Sequence, residues 1–387
     1  MVVSLLTMAT HLYLTIQHYD LKLGLASGPA ICNISSTFNC DSVAVSRYAS
    51  LFGIPMALLG LVSQAIFLIF LVATRWELSS SATPLKRVLF WYSCFIFAVS
   101  VVMGAISSLA LGTYCLFCMS AYVLSLLQLI GAWQSQEENP IPHLPSDVGH
   151  LLSSARWTVV LILLIPLISW IGNSMALSSA GFGKLDMIIQ DALQEWQTSP
   201  LQTFQMDKGL VHEATSGEPT MTIVEFADFL CPHCKVASTP LEAFSQGHPD
   251  VKFIFKIFPL DGSCNSSIPH KGDGLRCKLS ATAFCAEQLS KQGWKTHHWI
   301  FEHQEELQRV GDYKPMLERI ATEFKLDLAV LETCISSDAM MEQIEAMAKE
   351  GATAKIQGTP TIFVNGKTLP RGNFIPVLDA AYQSLKK

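Results

Sequence analysis

The chain has 387 residues, 50% of them hydrophobic and only 15% charged, with a net charge of −6. That balance offers no basic surface for nucleic acid and excludes it as a partner. Met1–Leu177 holds just 6 of the 26 basic and 6 of the 32 acidic residues, leaving 20 and 26 for the rest. A nearly charge-free first part followed by one of ordinary soluble composition predicts a membrane domain joined to a water-soluble one.

Five apolar stretches come first: Val2–Gln17, Ile54–Ala73, Val88–Leu111, Tyr114–Trp133 and Trp157–Leu177. A spanning helix needs about 20 apolar residues, which the last four supply. The first is shorter and contains His11, but it lacks the basic start and small-residue cleavage site of a signal peptide. It is read as a further spanning helix. Arg75, Lys86 and Arg87 flank one loop and set it on the cytoplasmic side. Parity places the Gln134–Arg156 loop on that side too. The Tyr19–Gly53 loop, the Gly112–Thr113 turn and everything after Leu177 then lie opposite. That arrangement gathers ten of the 11 cysteines, all but Cys94, on one face or in the soluble domain there. It predicts an oxidising compartment, for which a bacterial inner membrane with a periplasmic ectodomain fits best, ahead of a thylakoid or endoplasmic reticulum setting.

In the membrane half, Cys32 and Cys40 share the first extramembrane loop, and Cys115 and Cys118 begin the fourth stretch in GTYCLFCMSAY. A mobile loop pair facing a C-x-x-C at a helix N-terminus suits thiol–disulfide exchange, because the helix end favours a thiolate. Cys94, alone in mid-helix, reads as packing. Ser46 could cap a helix, and Arg47 reads as a solvated loop charge.

Gly181–Gly217 reads as a linker and amphipathic connector. MTIVEFADFL then reads as a buried strand leading into Cys-Pro-His-Cys at Cys231–Cys234 and on to a helix. Val251–Phe258 is a second strand. A long helical region precedes Gly358-Thr359-Pro360-Thr361 and the strand TIFVNG. A lone C-x-x-C is equally a structural disulfide or half a zinc site. The preceding strand, the Thr-Pro and the lack of a second metal-spaced pair favour redox use. Cys264 and Cys277 flank the polar loop DGSCNSSIPHKGDGLRC and read as a structural disulfide. Cys285 and Cys334 fall in helical patterns, where buried free thiols are expected. No metal, flavin or nucleotide motif is present.

The soluble half, roughly Glu218 to Lys387, resembles the DsbA family of thioredoxin-like proteins in its Cys-Pro-His-Cys tetrad, in Glu225 six residues before Cys231, and in Thr359-Pro360. The resemblance implies that Cys231 is the attacked sulfur and Cys234 the buried resolving one. His233 would favour the Cys231 thiolate, Glu225 would be a buried acid, and a cis Pro360 would pack beside Cys231. The membrane half, roughly Met1 to Trp133, resembles the vitamin K epoxide reductase family. The matching features are Cys32-x7-Cys40, Ser46, Phe52-Gly53-x-Pro55, and Cys115-x-x-Cys118 followed by Tyr122. That resemblance implies a four-helix core around a quinone, with a fifth helix leading onward. Cys118 and Tyr122 would lie next to the quinone, Cys115 would exchange with Cys40, and Cys32 would receive electrons.

The expected protein is therefore multi-domain: an all-α transmembrane bundle at 1–135, a cytoplasmic loop, fifth helix and linker at 136–217, and an α/β thioredoxin-like domain with a helical insertion at 218–387. Jointly, the resemblances imply a thiol oxidase that forms disulfides in exported proteins. Electrons would pass from substrate thiols through Cys231/Cys234, Cys32/Cys40 and Cys115/Cys118 to ubiquinone or menaquinone. Two other readings stand beside it: an epoxide reductase supplied with electrons by its soluble domain, and a disulfide-stapled receptor without catalysis.

Overall fold

The computed structural model describes residues 1–22, 30–33, 38–46, 48–76, 82–111, 113–143, 156–179, 185–309 and 313–386. Arg47 and Gly112, singled out above, lie outside the described residues. The chain divides into two compact units, one built on Met1–Leu21 and Ala30–Lys184, the other mainly on Leu185–Lys387.

The first unit is helical: α1 (Val2–Lys22), the short α2 (Cys40–Val45), a two-strand hairpin β1 (Ser50–Leu51) and β2 (Ile54–Pro55), then α3 (Met56–Arg75), α4 (Ala82–Ile106), α5 (Leu116–Gln134) and α6 (Arg156–Ser179). Four helices among the described residues are long and apolar enough to cross a membrane, within α3, α4, α5 and α6. The 21-residue α1 matches them in length but is more polar, and its pattern explains why. Ser4, Thr7, Thr15, Gln17 and His18 are buried, whereas Leu5, Leu6, Leu12 and Ile16 are exposed. Apolar outside and polar inside is what lipid demands of a spanning helix. Gln128 of α5 donates to Ser4 Oγ at 3.2 Å and pairs with Gln64 of α3 at 2.8 Å, so polar side chains join three helices. Ile66, Phe67 and Phe70 of α3 pack with Val88, Leu89 and Tyr92 of α4, and Leu161, Ile162 and Ile165 of α6 cover that cluster.

At one end of this unit Lys86 pairs with Glu137 at 2.7 Å. The acid thus answers the basic residue that set this loop's side. The hairpin turn places Phe52 and Gly53 at φ 50° and 78°. Both central residues of such a two-residue turn are left-handed, which Gly53 accepts freely and Phe52 does not.

The second unit opens with α7 (Leu185–Thr198), inside the stretch read as a linker; its Trp196 Nε1 donates to the Val364 carbonyl at 3.0 Å. A five-stranded sheet follows, in the order β3-β5-β4-β6-β7. Its strands are β3 (Leu210–His212), β4 (Met221–Ala227), β5 (Val251–Ile257), β6 (Thr361–Val364) and β7 (Lys367–Thr368). Strands β4 and β5 are parallel, joined by α8 (Pro232–Gly247), while β6 runs antiparallel to β4. Between β5 and β6 lies a helical insertion: α9 (Leu275–Ser290), α10 (Gly293–Glu302), α11 (Gln304–Arg309), α12 (Lys314–Glu323), α13 (Leu328–Ile335) and α14 (Asp338–Thr353). The C-terminal α15 (Ile375–Leu385) closes the domain. This is a thioredoxin-like sheet with a helical insertion, and the apolar β4 and β5 are buried on both faces, as parallel neighbours must be.

The expectation of free thiols at Cys285 and Cys334 is corrected: they form a disulfide, Cα–Cα 6.0 Å apart. Helices α9 and α13 pack side by side, a neighbourhood that a sequence separation of 49 conceals. Cys264 and Cys277 are also joined.

Candidate functional site

In the second unit Cys231 is the N-cap of α8, and Pro232 occupies the first helical position, where the missing N–H costs nothing. Cys231 is 8% exposed and Cys234 is 0%, so only the first sulfur reaches solvent. Both are thiols. The Cys231 thiol is lowered from 9.0 to about 5, chiefly by the hydrogen bond from Cys234 and also by the backbone N–H groups of Cys234 and His233, against the cost of burial. His233 thus contributes through its main chain; its side chain is exposed on the first turn. Burial and the neighbouring Cys231 push Cys234 well above its ordinary value. The two sulfurs are therefore set apart: the outer one gives up its proton more easily and the buried one holds it.

The Thr359–Pro360 peptide is cis, and Cys231 Sγ lies 3.3 Å from the Thr359 carbonyl oxygen. Glu225 on β4 is fully buried, and neither carboxylate oxygen has a hydrogen-bond partner among the described residues. Burial, and secondarily the charge at Cys231, raises its carboxyl to about 8.

Residues that sequence reasoning passed over hold the loop before Cys231. Buried Asp228 accepts from the amides of Leu230 and Leu260, both at 2.7 Å, and pairs with Arg276. Gln304 of α11 donates to the carbonyls of Phe229 and Cys231 at 2.7 and 3.0 Å, and Gln308 donates to that of Leu230 at 3.0 Å. The only signal in the sequence was the Asp three residues ahead of the first cysteine.

In the first unit Cys32 and Cys40 form a disulfide. It is buried in a cluster with Cys115, against which Leu14, Val43, Leu116 and Cys118 pack. Cys115 caps α5, its Sγ accepting from the Cys118 amide at 3.1 Å. The Asn39 amide donates to the Tyr114 carbonyl at 3.0 Å, and Phe38 bridges Tyr114, so the end of the disulfide loop is tied to the residue before Cys115. The described part of this loop is thus hydrogen-bonded to the residue that precedes Cys115. Asp41 does much of the anchoring: its carboxylate accepts from Gln17 Nε2 at 2.6 Å, the Ala30 amide at 3.1 Å and Asn33 Nδ2 at 2.5 Å. Ser46 ends α2, its Oγ donating to the Val43 carbonyl at 2.8 Å.

Below the cysteines lies a cavity of about 340 Å³ that Cys40, Ser46, Cys115, Cys118 and Tyr122 border. Most of its wall is apolar. His11 also lines it, with Nδ1 buried and without a hydrogen-bond partner among the described residues. Gly60 makes room for that ring, since a Cβ there would fall 2.4 Å from His11 Cε1. A largely apolar chamber with a few polar groups and a thiol pair in its lining fits a quinone ring in size and chemistry.

Fold and sites together define a membrane helix bundle with a buried disulfide beside a C-x-x-C, linked to a thioredoxin-like domain with its own dithiol. Residues 1–133 match the vitamin K epoxide reductase family, and residues 222–383 match the DSBA-like thioredoxin domain family. Over 178 residues the chain is 25% identical to disulfide bond formation protein D of Bacillus subtilis, covering 41% of this chain and 75% of that one. It is 29% identical over 169 residues to Na(+)/H(+) antiporter NhaA 3 of Salinispora tropica, covering 43% of this chain but only 23% of the antiporter. The crystal structure of oxidised BdbD from Bacillus subtilis aligns with a TM-score of 0.41 and 21% identity, over 49% of this chain and 99% of that one.

Proposed function

We propose that the protein is a quinone-linked thiol oxidase that forms disulfides in exported proteins. A substrate dithiol attacks the Cys231–Cys234 disulfide through a mixed disulfide at Cys231. The substrate leaves oxidised and the pair is left as two thiols. The low thiol pKa of Cys231 stabilises that reduced form and so makes the disulfide a strong oxidant. Cys231 then reduces Cys32–Cys40, and Cys40 hands the electron pair to the Cys115–Cys118 disulfide. Each step forms one S–S bond and breaks one, so thiols and disulfides balance.

The observation that carries this reading is the packing of the Cys32–Cys40 disulfide against Cys115, above a cavity that Cys118 and Tyr122 border. A quinone held there, ubiquinone or menaquinone, would accept two electrons and two protons. Cys118 would present its sulfur to the ring, Tyr122 would orient it, and the apolar wall would keep water out. Loop charge and helix parity support a bacterial inner membrane with the cysteines on the periplasmic side.

The test is turnover of the purified protein with a reduced, disulfide-requiring substrate and either quinone. Quinone-dependent oxidation that Cys118→Ala and Cys231→Ala each abolish is the expected result. Undiminished oxidation in either variant would overturn the relay. Reduction of vitamin K epoxide without substrate oxidation would favour the reductase reading instead.

A further inference from the structure

Glu242 lies on α8, the helix that begins at Cys231, but on its distal half and away from both sulfurs in the chain. Its carboxylate meets histidines from two other elements. Oε1 accepts from His212 Nε2 of β3 at 3.2 Å and from Gln246 Nε2 at 2.8 Å, while Oε2 contacts His298 Nε2 of α10. His297, also on α10, is 1% exposed, and neither of its ring nitrogens has a hydrogen-bond partner among the described residues. A donor atom from each of Glu242, His297 and His298 lies within 4.8 Å of the other two.

Hydrogen bonding alone accounts for His212 and His298, which meet the oxygens of a buried carboxylate. It leaves His297 unexplained. That ring is walled by Phe229, Phe255, Phe301 and Trp294, at centroid separations of 5.7, 4.4, 4.9 and 5.1 Å. These aromatic walls offer it no conventional acceptor. A buried imidazole with two idle nitrogens is costly, unless something between it and the carboxylate takes up a lone pair.

We propose that Glu242, His297 and His298, with His212 at the margin, bind Zn²⁺ or a similar first-row divalent cation. Imidazole nitrogens with one carboxylate oxygen suit such a metal and not Ca²⁺ or Mg²⁺, which take oxygen ligands. The His298 side chain is 41% exposed and that of His212 26%, so the cation has a way in from solvent. It replaces the proton shared between His298 and Glu242 and draws the donors together. The bound cation ties β3, the helix that begins at Cys231 and α10, the second helix of the insertion, at one point. The role assigned to it is structural, because its ligands join separate elements at a point away from the Cys231–Cys234 pair.

The experiment uses the full-length protein in detergent with every dithiol held as a disulfide, so that thiolates do not compete. Co²⁺ and Zn²⁺ are the probes, read by visible absorption, metal content after dialysis and melting midpoint. The expected result is one cation per chain, with Co²⁺ d–d bands and no thiolate charge-transfer band. Zn²⁺ should raise the melting midpoint, and His298→Ala and His297→Phe should each weaken binding by about a hundredfold or more. His298→Gln replaces the alanine variant if that one fails to fold. No binding, equal affinity in the variants and the parent chain, or a thiolate band would each overturn the proposal.

Discussion

Asn33 and Asp41 face each other across the base of the Cys32–Cys40 loop. Asn33 Nδ2 donates to Asp41 Oδ2 at 2.5 Å while Asn33 Oδ1 accepts from the Cys40 amide at 2.8 Å. The pair holds both ends of the disulfide loop in place beside Cys115. Hydrogen bonds to a charged group contribute about 1.5–3 kcal/mol each, and about 1.4 kcal/mol is a factor of ten in rate. Asp41→Ala is therefore expected to slow quinone-dependent turnover at least about tenfold. Alkylation of Cys231 should be unchanged, because that thiol belongs to the other unit. Turnover at the parental rate would show that the loop needs no such anchor.

The Cys231 thiol, lowered to about 5, makes a kinetic prediction. Iodoacetamide alkylation of the reduced protein should follow a titration with its midpoint near pH 5, and Cys234→Ala should move that midpoint upward by removing the largest contribution. Stability follows the same sign. A group depressed from 9.0 to about 5 stabilises the reduced folded state above the unfolded value, and that stabilisation is lost as pH falls through about 5. The stability of the reduced form relative to the oxidised one should rise between about pH 5 and 9, which paired denaturant titrations would measure.

Glu225 has the opposite sign. Its carboxyl is raised from 4.5 to about 8, so the folded state holds the proton that the unfolded state releases, and stability falls as pH rises across that interval. Glu225→Gln removes the penalty. The variant should be more stable than the parent by roughly 2–4 kcal/mol at alkaline pH, less than the full linkage value because the amide is also buried without partners. The gap should close towards pH 4.5, below which both side chains are neutral. A constant difference across pH would contradict the raised carboxyl.

The Cys285–Cys334 disulfide closes a loop with a sequence separation of 49. Replacing both residues by serine should cost about 2–4 kcal/mol of stability to denaturant, with the alkylation profile of Cys231 unaltered. An unchanged midpoint of unfolding would show that packing of α9 on α13 suffices without the bond.

These outcomes separate what the sequence made legible from what it hid. Strand β4, the Cys231–Cys234 turn and Thr359–Pro360 were legible because each is a local signal: an apolar run, a spacing, a dipeptide. The spanning helices α3 to α6 were legible from length and hydropathy. Helix α1 was less so, since averaging hydropathy mixes its lipid-facing leucines with the polar residues it buries. Asn33, Asp41 and Gln17 carried no motif. Their role depends on a carboxylate meeting donors 8 and 24 positions away. Gln304 reaches the active-site loop across 73 residues, and the Cys285–Cys334 pairing depends on helix packing that no spacing reveals.

The central claim is the handover from the loop disulfide to Cys115, and trapping tests it directly. In Cys118→Ala, Cys115 keeps its place beside Cys32–Cys40 but has lost the thiol that would release it. Peptide mapping of this variant without reductant should recover a Cys40–Cys115 disulfide with Cys32 open to alkylation. Recovery of an intact Cys32–Cys40 bond with Cys115 alkylated throughout would contradict the relay.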